Sequence, residues 1–191
     1  MIDWAAISLR PLADTDLPSL HAWQNDPALR DLVMGFRGPV QRETTADWLH
    51  GLASQNLRTR TAFAICQEAT PLGLAQLHGI DWLHCTAALG LYIGCTGHRR
   101  KGLGFVAGSL LLDFAFNGLD LERVSLQVLT RNTVAVRLYE RLGFQHEGVL
   151  RSAYSLNRRR EDVSLYAILA GAWTETLPTE ARRLLRDDVA T

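Results

Sequence analysis

Apolar and polar positions along the 191-residue chain alternate with two different periods, and the change between them divides the chain into elements. "ISLRPL" from Ile7 alternates until Pro11 stops it, which predicts a first strand. Over 14–25, Leu17, Leu20 and Trp23 fall at helical spacing, with Asp14 or Thr15 as the cap and Pro18 tolerated in the first turn. A second helix is predicted over about 42–53, and the Pro- and Gly-bearing "NDPALRDLVMGFRGPV" between the two reads as irregular. From Thr61 the period becomes two. "TAFAIC", "LGLAQLHGI" and "TAALGLYIG", separated by turn residues in "EATP" and "DWLHC", predict three antiparallel strands in a row. An apolar helix over 105–117, a strand over 123–129, a helix over 132–142 and strands near 144–151 and 162–168 complete the pattern. Antiparallel strands, then a βαβα unit, then a closing hairpin make an α+β fold around one mixed, mostly antiparallel sheet of about seven strands flanked by helices. No repeat or low-complexity linker interrupts the pattern, so a single domain is expected over 1–191.

Composition narrows the function classes. Twenty Lys plus Arg balance twenty Asp plus Glu, so the global basic field that dominates nucleic-acid binding is absent and no nucleic-acid partner is expected. The beginning, "MIDWAAISLRPLADTD", lacks the cationic and apolar regions of a signal peptide, and no apolar run reaches the length of a membrane span. The expectation is a cytoplasmic protein without a membrane partner. Cys66, Cys85 and Cys95 are odd in number and form no C-x-x-C pair, and the six histidines show no H-x-x-x-H spacing, so neither disulfides nor a metal is expected.

Local charge is more informative. "GHRRKGLGF", Gly97 to Phe105, sets three consecutive cations against a glycine pair, between a strand and an apolar helix. Main-chain N–H groups at such a helix start point at an anion, the helix dipole adds positive potential, and glycine lets the backbone come close. Phosphate is the natural ligand. The string does not satisfy the Walker A spacing. It does satisfy G-x-G-x-x-A at Gly102, Gly104 and Ala107, a dinucleotide-binding variant, although that unit usually follows one parallel strand near a domain start rather than three antiparallel ones. A second stretch, "RNTVAVRLYERLGF", opens a helix at Asn132 and closes it at Gly143. Taken alone, Asn132 reads as an N-cap, Val134, Leu138 and Leu142 as a core stripe, and Tyr139 as a half-buried aromatic.

Together the two stretches resemble the GNAT acyltransferase superfamily. Arg99, Gly102 and Gly104 fit its [QR]-x-x-G-x-[GA] pyrophosphate loop, and Asn132 to Phe144 fit its N-x-x-[AS]-x-x-L-Y-E-x-L-G-F motif. "FQHEGVLRSAYSLNRRREDVSLYAIL" is similar to the RimJ/RimL-like branch in its E-G pair and D-x-x-x-Y strand. The resemblance is good over about 72–169 and loose over the first seventy residues. It implies an acetyl-CoA-dependent N-acetyltransferase acting on a primary amine, with residues 1–60 as acceptor-side helices, 61–170 as the acetyl-CoA-binding core and 171–191 as a C-terminal tail. The acceptor is then a small-molecule amine, such as a polyamine or amino sugar, or a peptide N-terminus, and the protein a monomer or homodimer. A catalytically silent acyl-CoA-binding module is the alternative.

The resemblance further implies a gap between splayed strands. Leu91 and Ile93 would offer backbone partners to the pantetheine arm, and Arg99, Arg100, Lys101, Gly102, Leu103 and Gly104 would hold the pyrophosphate. Asn132 would bond the arm from the opposite side, and an N–H near Tyr92 or Ile93 would stabilise the developing oxyanion. Tyr139 is the expected donor to the leaving thiolate, since a phenol of pKa about 10 can serve a thiol of about 8.5. The branch often carries a carboxylate in an A-E-L-G pattern, and here "TAALG" places Ala88 in its stead. An amine of pKa about 10.4 costs about 4.6 kcal/mol to deprotonate at pH 7, an α-amine only about 1, so a site without an evident base leans toward low-pKa amines. His78, Asp81 and His84 read either as a base acting through water or as ordinary turn and surface residues. Trp23, Asp26, Asp31, Phe36, Glu43, Asp47 and Trp48 read in two ways: an aromatic and acidic wall for a cation, or core tryptophans and a solvated helix face.

Overall fold

In a computed structural model, which describes residues 6–35, 38–55 and 57–176, the predicted strands assemble into one seven-stranded sheet. Its strands are β1 (Ile7–Pro11), β2 (Arg60–Gln67), β3 (Thr70–Asp81), β4 (Thr86–Ile93), β5 (Arg123–Leu129), β6 (Gln145–Leu156) and β7 (Arg159–Leu169), in the order β1-β2-β3-β4-β5-β7-β6. Every neighbouring pair is antiparallel except β4 with β5. The mixed sheet of the α+β expectation is therefore present.

Helices cover both faces because successive strand residues point to opposite sides. On one face α4 (Leu103–Asp113) and α5 (Thr133–Arg141) pack over Ala75, Leu77, Leu89, Val124 and Leu126. α4 is apolar nearly all round, as suits a helix enclosed in a core, and ends in a wider turn over Phe114–Gly118. On the other face, α1 (Leu17–Asn25), the single turn α2 (Pro27–Arg30) and α3 (Arg42–Gln55) bury Leu20, Trp23, Leu29 and Leu49 against Leu74 and Tyr92, which are register partners on β3 and β4. α6 (Ala170–Thr176) follows β7 and buries Trp173.

Three differences from the sequence expectation have physical causes. Asp14 to Asp16 form a separate 3-10 turn, so α1 begins at Leu17 and neither Asp14 nor Thr15 caps it. The residue that matters there is Asp16, which is 1% exposed. Its carboxylate takes both Nη groups of Arg10, at 2.8 and 2.7 Å, and the Ala13 N–H at 2.9 Å. Burial alone would raise the Asp16 carboxyl, but these donors outweigh it and hold it below the usual carboxylate range. The closing hairpin is longer than its apolar pattern suggests, because β6 runs mostly exposed beyond the core. The stretch read as irregular contains α2 and is tied down. Arg99 bonds Asp26, Arg131 bonds the Asp31 carbonyl at 2.6 Å, and the Gly35 N–H donates to the Tyr154 hydroxyl at 3.0 Å. Phe36 and 177–191 of the expected tail lie outside the described residues.

Candidate active site

β4 and β5 are paired only at their beginnings, where Thr86, Ala87 and Ala88 meet Arg123, Val124 and Ser125. Beyond Ala88 the two parallel strands separate, and a cleft of about 1350 Å³ opens between them. Leu89 to Ile93 line one side and Leu126 to Val128 the other. Separated parallel strands expose edge N–H and C=O groups that an extended ligand can pair.

The glycine loop closes one end of this cleft. Arg100 and Gly102 both take positive φ, at 62° and 89°, and Gly102 is the residue from which α4 departs. Left-handed backbone suits glycine and is uncommon for arginine. The double reversal leaves the N–H groups of Arg100, Lys101, Gly102, Leu103 and Gly104 without an acceptor among the described residues, all at the start of an eleven-residue helix. Arg99 itself points back into the protein. Its Nε donates to the Ile93 carbonyl at 3.0 Å, and its Nη2 to the Gly94 carbonyl and to Asp26, both at 2.9 Å. The Asp26 carboxyl is held below its ordinary range chiefly by that bond. Arg99 therefore fastens the loop to β4 and to α2.

Helix α5 supplies the opposite wall. Asn132 is its N-cap, with Oδ1 accepting from the Ala135 N–H at 3.3 Å, and it lines the cleft as well. Tyr139, 7% exposed, packs edge-on to Phe144 at 5.8 Å between centroids and also lines the cleft. Its hydroxyl has no hydrogen-bond partner among the described residues, and burial pushes the phenol up to about 12, well above the ordinary value on which its assignment as donor was based.

The cleft thus brings together Leu91, Ile93, Arg99, Arg100, Gly102, Gly104, Asn132 and Tyr139. Lys101 and Leu103 are not among its lining side chains: Lys101 is exposed and Leu103 is core, so both belong to the loop through their backbone. Ala88 lines the cleft and is the cross-strand partner of His78, which lines it too. Burial, then the charge of Arg60, lowers the His78 pKa below its ordinary value, so the ring is neutral at neutral pH. Asp81 and His84 do not line the cleft. Asp81 Oδ1 accepts the N–H groups of Leu83 and His84 in a turn, both at 3.0 Å.

The aromatic and acidic wall divides along its two readings. Trp23 is core, edge-on to Tyr92 at 6.0 Å. Asp26 is bound to Arg99, Asp31 to Arg131, and Glu43 and Asp47 face solvent on α3. Among the described residues of this set, only Trp48 lines the cleft, beside Gln24 and Thr44. Residue-by-residue reading missed Arg60 and Gln76, whose signal is polar side chains at the alternate positions of otherwise apolar strands. Gln76 lies across Gly90, its cross-strand partner: a Cβ at position 90 would stand 2.9 Å from Gln76 Nε2. Glycine there leaves room for the amide at the cleft, and its buried Oε1 has no partner among the described residues.

The sheet thus opens between two parallel strands, with the N–H groups of the glycine loop at the start of one helix and a buried tyrosine on the next. Residues 7–145 match the acetyltransferase (GNAT) domain family, and the chain belongs to it. The spermidine N(1)-acetyltransferase of Vibrio cholerae is 28% identical over 163 residues, 85% of this chain and 92% of that protein. The spermidine N(1)-acetyltransferase of Escherichia coli K12 is 25% identical over 181 residues, 95% of each chain. A crystal structure of the Vibrio cholerae enzyme in complex with CoA and spermine superposes with a TM-score of 0.80 at 26% identity, covering 89% of this chain and 99% of that one. The ribosomal L7/L12 α-N-protein acetyltransferase RimL, in complex with coenzyme A, shares the fold with a TM-score of 0.78 at 20% identity. The chain is therefore an N-acetyltransferase of the GNAT type. Among the described residues no helix is long and apolar enough to cross a membrane.

Proposed function

We propose that the protein transfers the acetyl group of acetyl-CoA to a primary amine. The observation that carries this reading is the coincidence of three features at one cleft: separated β4 and β5, the five N–H groups of Arg100 to Gly104 without an acceptor among the described residues, and the Tyr139 hydroxyl on the far wall. Acetyl-CoA would bring the acetyl group as a thioester open to direct attack by the amine. The N–H groups of Arg100 to Gly104 suit its pyrophosphate, each charge-assisted bond contributing on the order of 1.5 to 3 kcal/mol. Arg100 and Lys101 add charge there, and Arg99 acts by holding the loop in shape. Leu91, Ile93 and Asn132 suit the pantetheine arm. Residues 61–170 then make the cosubstrate half of the cleft, and the helices of residues 1–60 its acceptor half.

His78 takes the place of the carboxylate absent at Ala88, being neutral and directly across the strand pair. It accepts a proton from the attacking ammonium, directly or through water. Tyr139 donates at the leaving sulfur. Full transfer from a phenol near 12 to a free thiolate of about 8.5 is uphill by about 5 kcal/mol. A thiolate desolvated in the same cleft is raised by the same burial, which narrows the difference, and a donated hydrogen bond already stabilises the charge growing on sulfur. The Glu147–Gly148 pair and Asp162 with Tyr166, all on β6 and β7, support placing the chain near the RimJ/RimL-like branch.

Thiol release from acetyl-CoA over a panel of amines tests the reading. Turnover is expected, and Tyr139→Phe should lower kcat roughly 100-fold while the folded state is kept. Binding of CoA without turnover on any amine would instead make the protein a silent acyl-CoA-binding module.

A further inference from the structure

The acceptor half of the cleft has the wrong charge for a polycation. Not one aspartate or glutamate is among the described residues that line the cleft. Six arginines are, and three of them are engaged within the protein. Arg99 is held by Asp26, Arg131 by Asp31 and Glu161, and Arg141 lies over the Phe105 ring at 4.1 Å. Arg100 and Arg137 are exposed on the loop and on α5, the side that suits the cosubstrate. Arg60 differs from both groups, being neither engaged by a partner among the described residues nor fully exposed. It is half-buried, it lies on the sheet face covered by α1 and α3, and its guanidinium has no ion pair or hydrogen bond among the described residues. A guanidinium taken partly out of water without a counter-charge is unfavourable, and a ligand anion would relieve it.

Position gives Arg60 a role. Arg60, His78 and Ala88 are successive register partners across β2, β3 and β4, so one row of the sheet leads from the unpaired guanidinium to the neutral imidazole and then to the separated strands. In the next row Gln76 lies over Gly90 with its Oε1 unpartnered, an acceptor suited to an N–H of the incoming amine. The two rows offer one molecule an acceptor for its ammonium end near β4 and a planar cation for its other end at β2.

We infer that the acceptor is a small amine carrying an anionic group, a carboxylate or a phosphate, which Arg60 binds while the amine faces His78 and Gln76. This rests on the acetyltransferase reading above, and it separates the chain from its relatives named for spermidine. Arg60 is a specificity residue here and takes no part in the bond changes. Because β2 stands two strands from β4, about 10 Å away, an acceptor longer than glycine is expected to serve best.

The test compares pairs of acceptors that differ in one group. The ω-amino acids from glycine to 6-aminohexanoate are assayed beside their carboxamides, with aminoalkyl phosphates, spermidine and an uncharged tripeptide N-terminus as further arms. The best acid should exceed its carboxamide in kcat/KM by roughly 10- to 100-fold, chiefly through KM. In Arg60→Gln that ratio should fall to near one, and Arg60→Lys should recover part of it. Retention of the CoA-induced rise in Tm in both variants shows that they are folded. Preference for the phosphates over the carboxylates would identify the anion without changing the inference. Spermidine, the tripeptide or the carboxamides used as well as the acids, or a ratio unchanged in Arg60→Gln, overturns the inference and leaves the acetyltransferase reading standing. No thiol release with any acceptor, while CoA still raises Tm, overturns that reading and this inference with it.

Discussion

His78 sits where burial and a neighbouring cation act in the same direction. Desolvation disfavours the imidazolium, Arg60 adds to it, and the folded pKa lies below the ordinary 6.5. For a base, this means that the ring is unprotonated across the neutral range, though it binds the proton it takes less strongly than an ordinary imidazole. The kcat of the protein should rise with pH along a limb centred below 6.5 and then level, since the lowered pKa is the one that must be crossed. In His78→Ala that limb should vanish and kcat fall roughly 100-fold. A limb that persists in the variant would mean that the base is elsewhere. Linkage gives an independent readout. With a folded pKa below the unfolded one, His78 binds fewer protons in the native state, so its share of stability is present above 6.5 and is lost as pH falls from there through the folded pKa. Tm of the wild type should therefore drop more between pH 7 and pH 5 than Tm of His78→Ala. The sequence contained His78 and the missing carboxylate at Ala88 but not their adjacency. Ten residues apart, they meet only because the β3–β4 hairpin sets them opposite each other, past a shift in register.

At the scale of elements, the loop before α4 owes its shape to two backbone conformations, and only one of them falls on a glycine. Gly102 at φ 89° is the glycine of the loop at which any Cβ is strained, and Ala there should cost about 1 to 2 kcal/mol. For a chain of this size that corresponds to roughly 2 to 8 °C in Tm. Relaxation of the strain would turn the loop N–H groups away from their common focus, so Gly102→Ala should also weaken CoA binding about tenfold in calorimetry. Gly97 is the control within the same loop. Nothing lies within 4 Å of a Cβ placed on it, and Gly97→Ala should leave both quantities unchanged. Equal effects of the two substitutions would show that the loop is merely fragile. The existence of these elements was legible because period-two and period-3.6 patterns are strong over β2 to α5, and the β5 expectation of 123–129 coincides with Arg123–Leu129. What was illegible depends on distant partners. Arg99 reads as a phosphate ligand from its motif, yet its guanidinium is held by Asp26, 73 residues earlier in the chain. The helix-start pattern singles out Asp14 or Thr15, yet it is Asp16 that Arg10 holds in the interior.

For the molecule as a whole, zero net charge conceals a division that sequence totals cannot display. Asp26 pairs with Arg99, Asp31 and Glu161 pair with Arg131, Glu43 and Asp47 face water, and no described acid lines the cleft, so it keeps a cationic lining inside a neutral protein. Such a lining favours an anionic cosubstrate, and its contribution is weakened by salt because the loop cations are exposed. Binding that selects the native state adds RT ln(1 + [L]/Kd), about 2.7 kcal/mol at a hundredfold excess over Kd. That should raise Tm by roughly 5 to 10 °C. CoA should produce this rise at low ionic strength and a smaller one in 0.5 M salt, roughly three times above the physiological 0.15 M. NAD is the decisive comparison, because the Gly102, Gly104 and Ala107 spacing also satisfies a dinucleotide-binding pattern while the strands around it do not. A nicotinamide dinucleotide carries a pyrophosphate but no pantetheine arm to enter between β4 and β5. NAD should therefore leave Tm within 1 °C of its unliganded value. If NAD raises Tm as far as CoA does, the loop alone accounts for the affinity and the parting of the two strands contributes nothing to recognition.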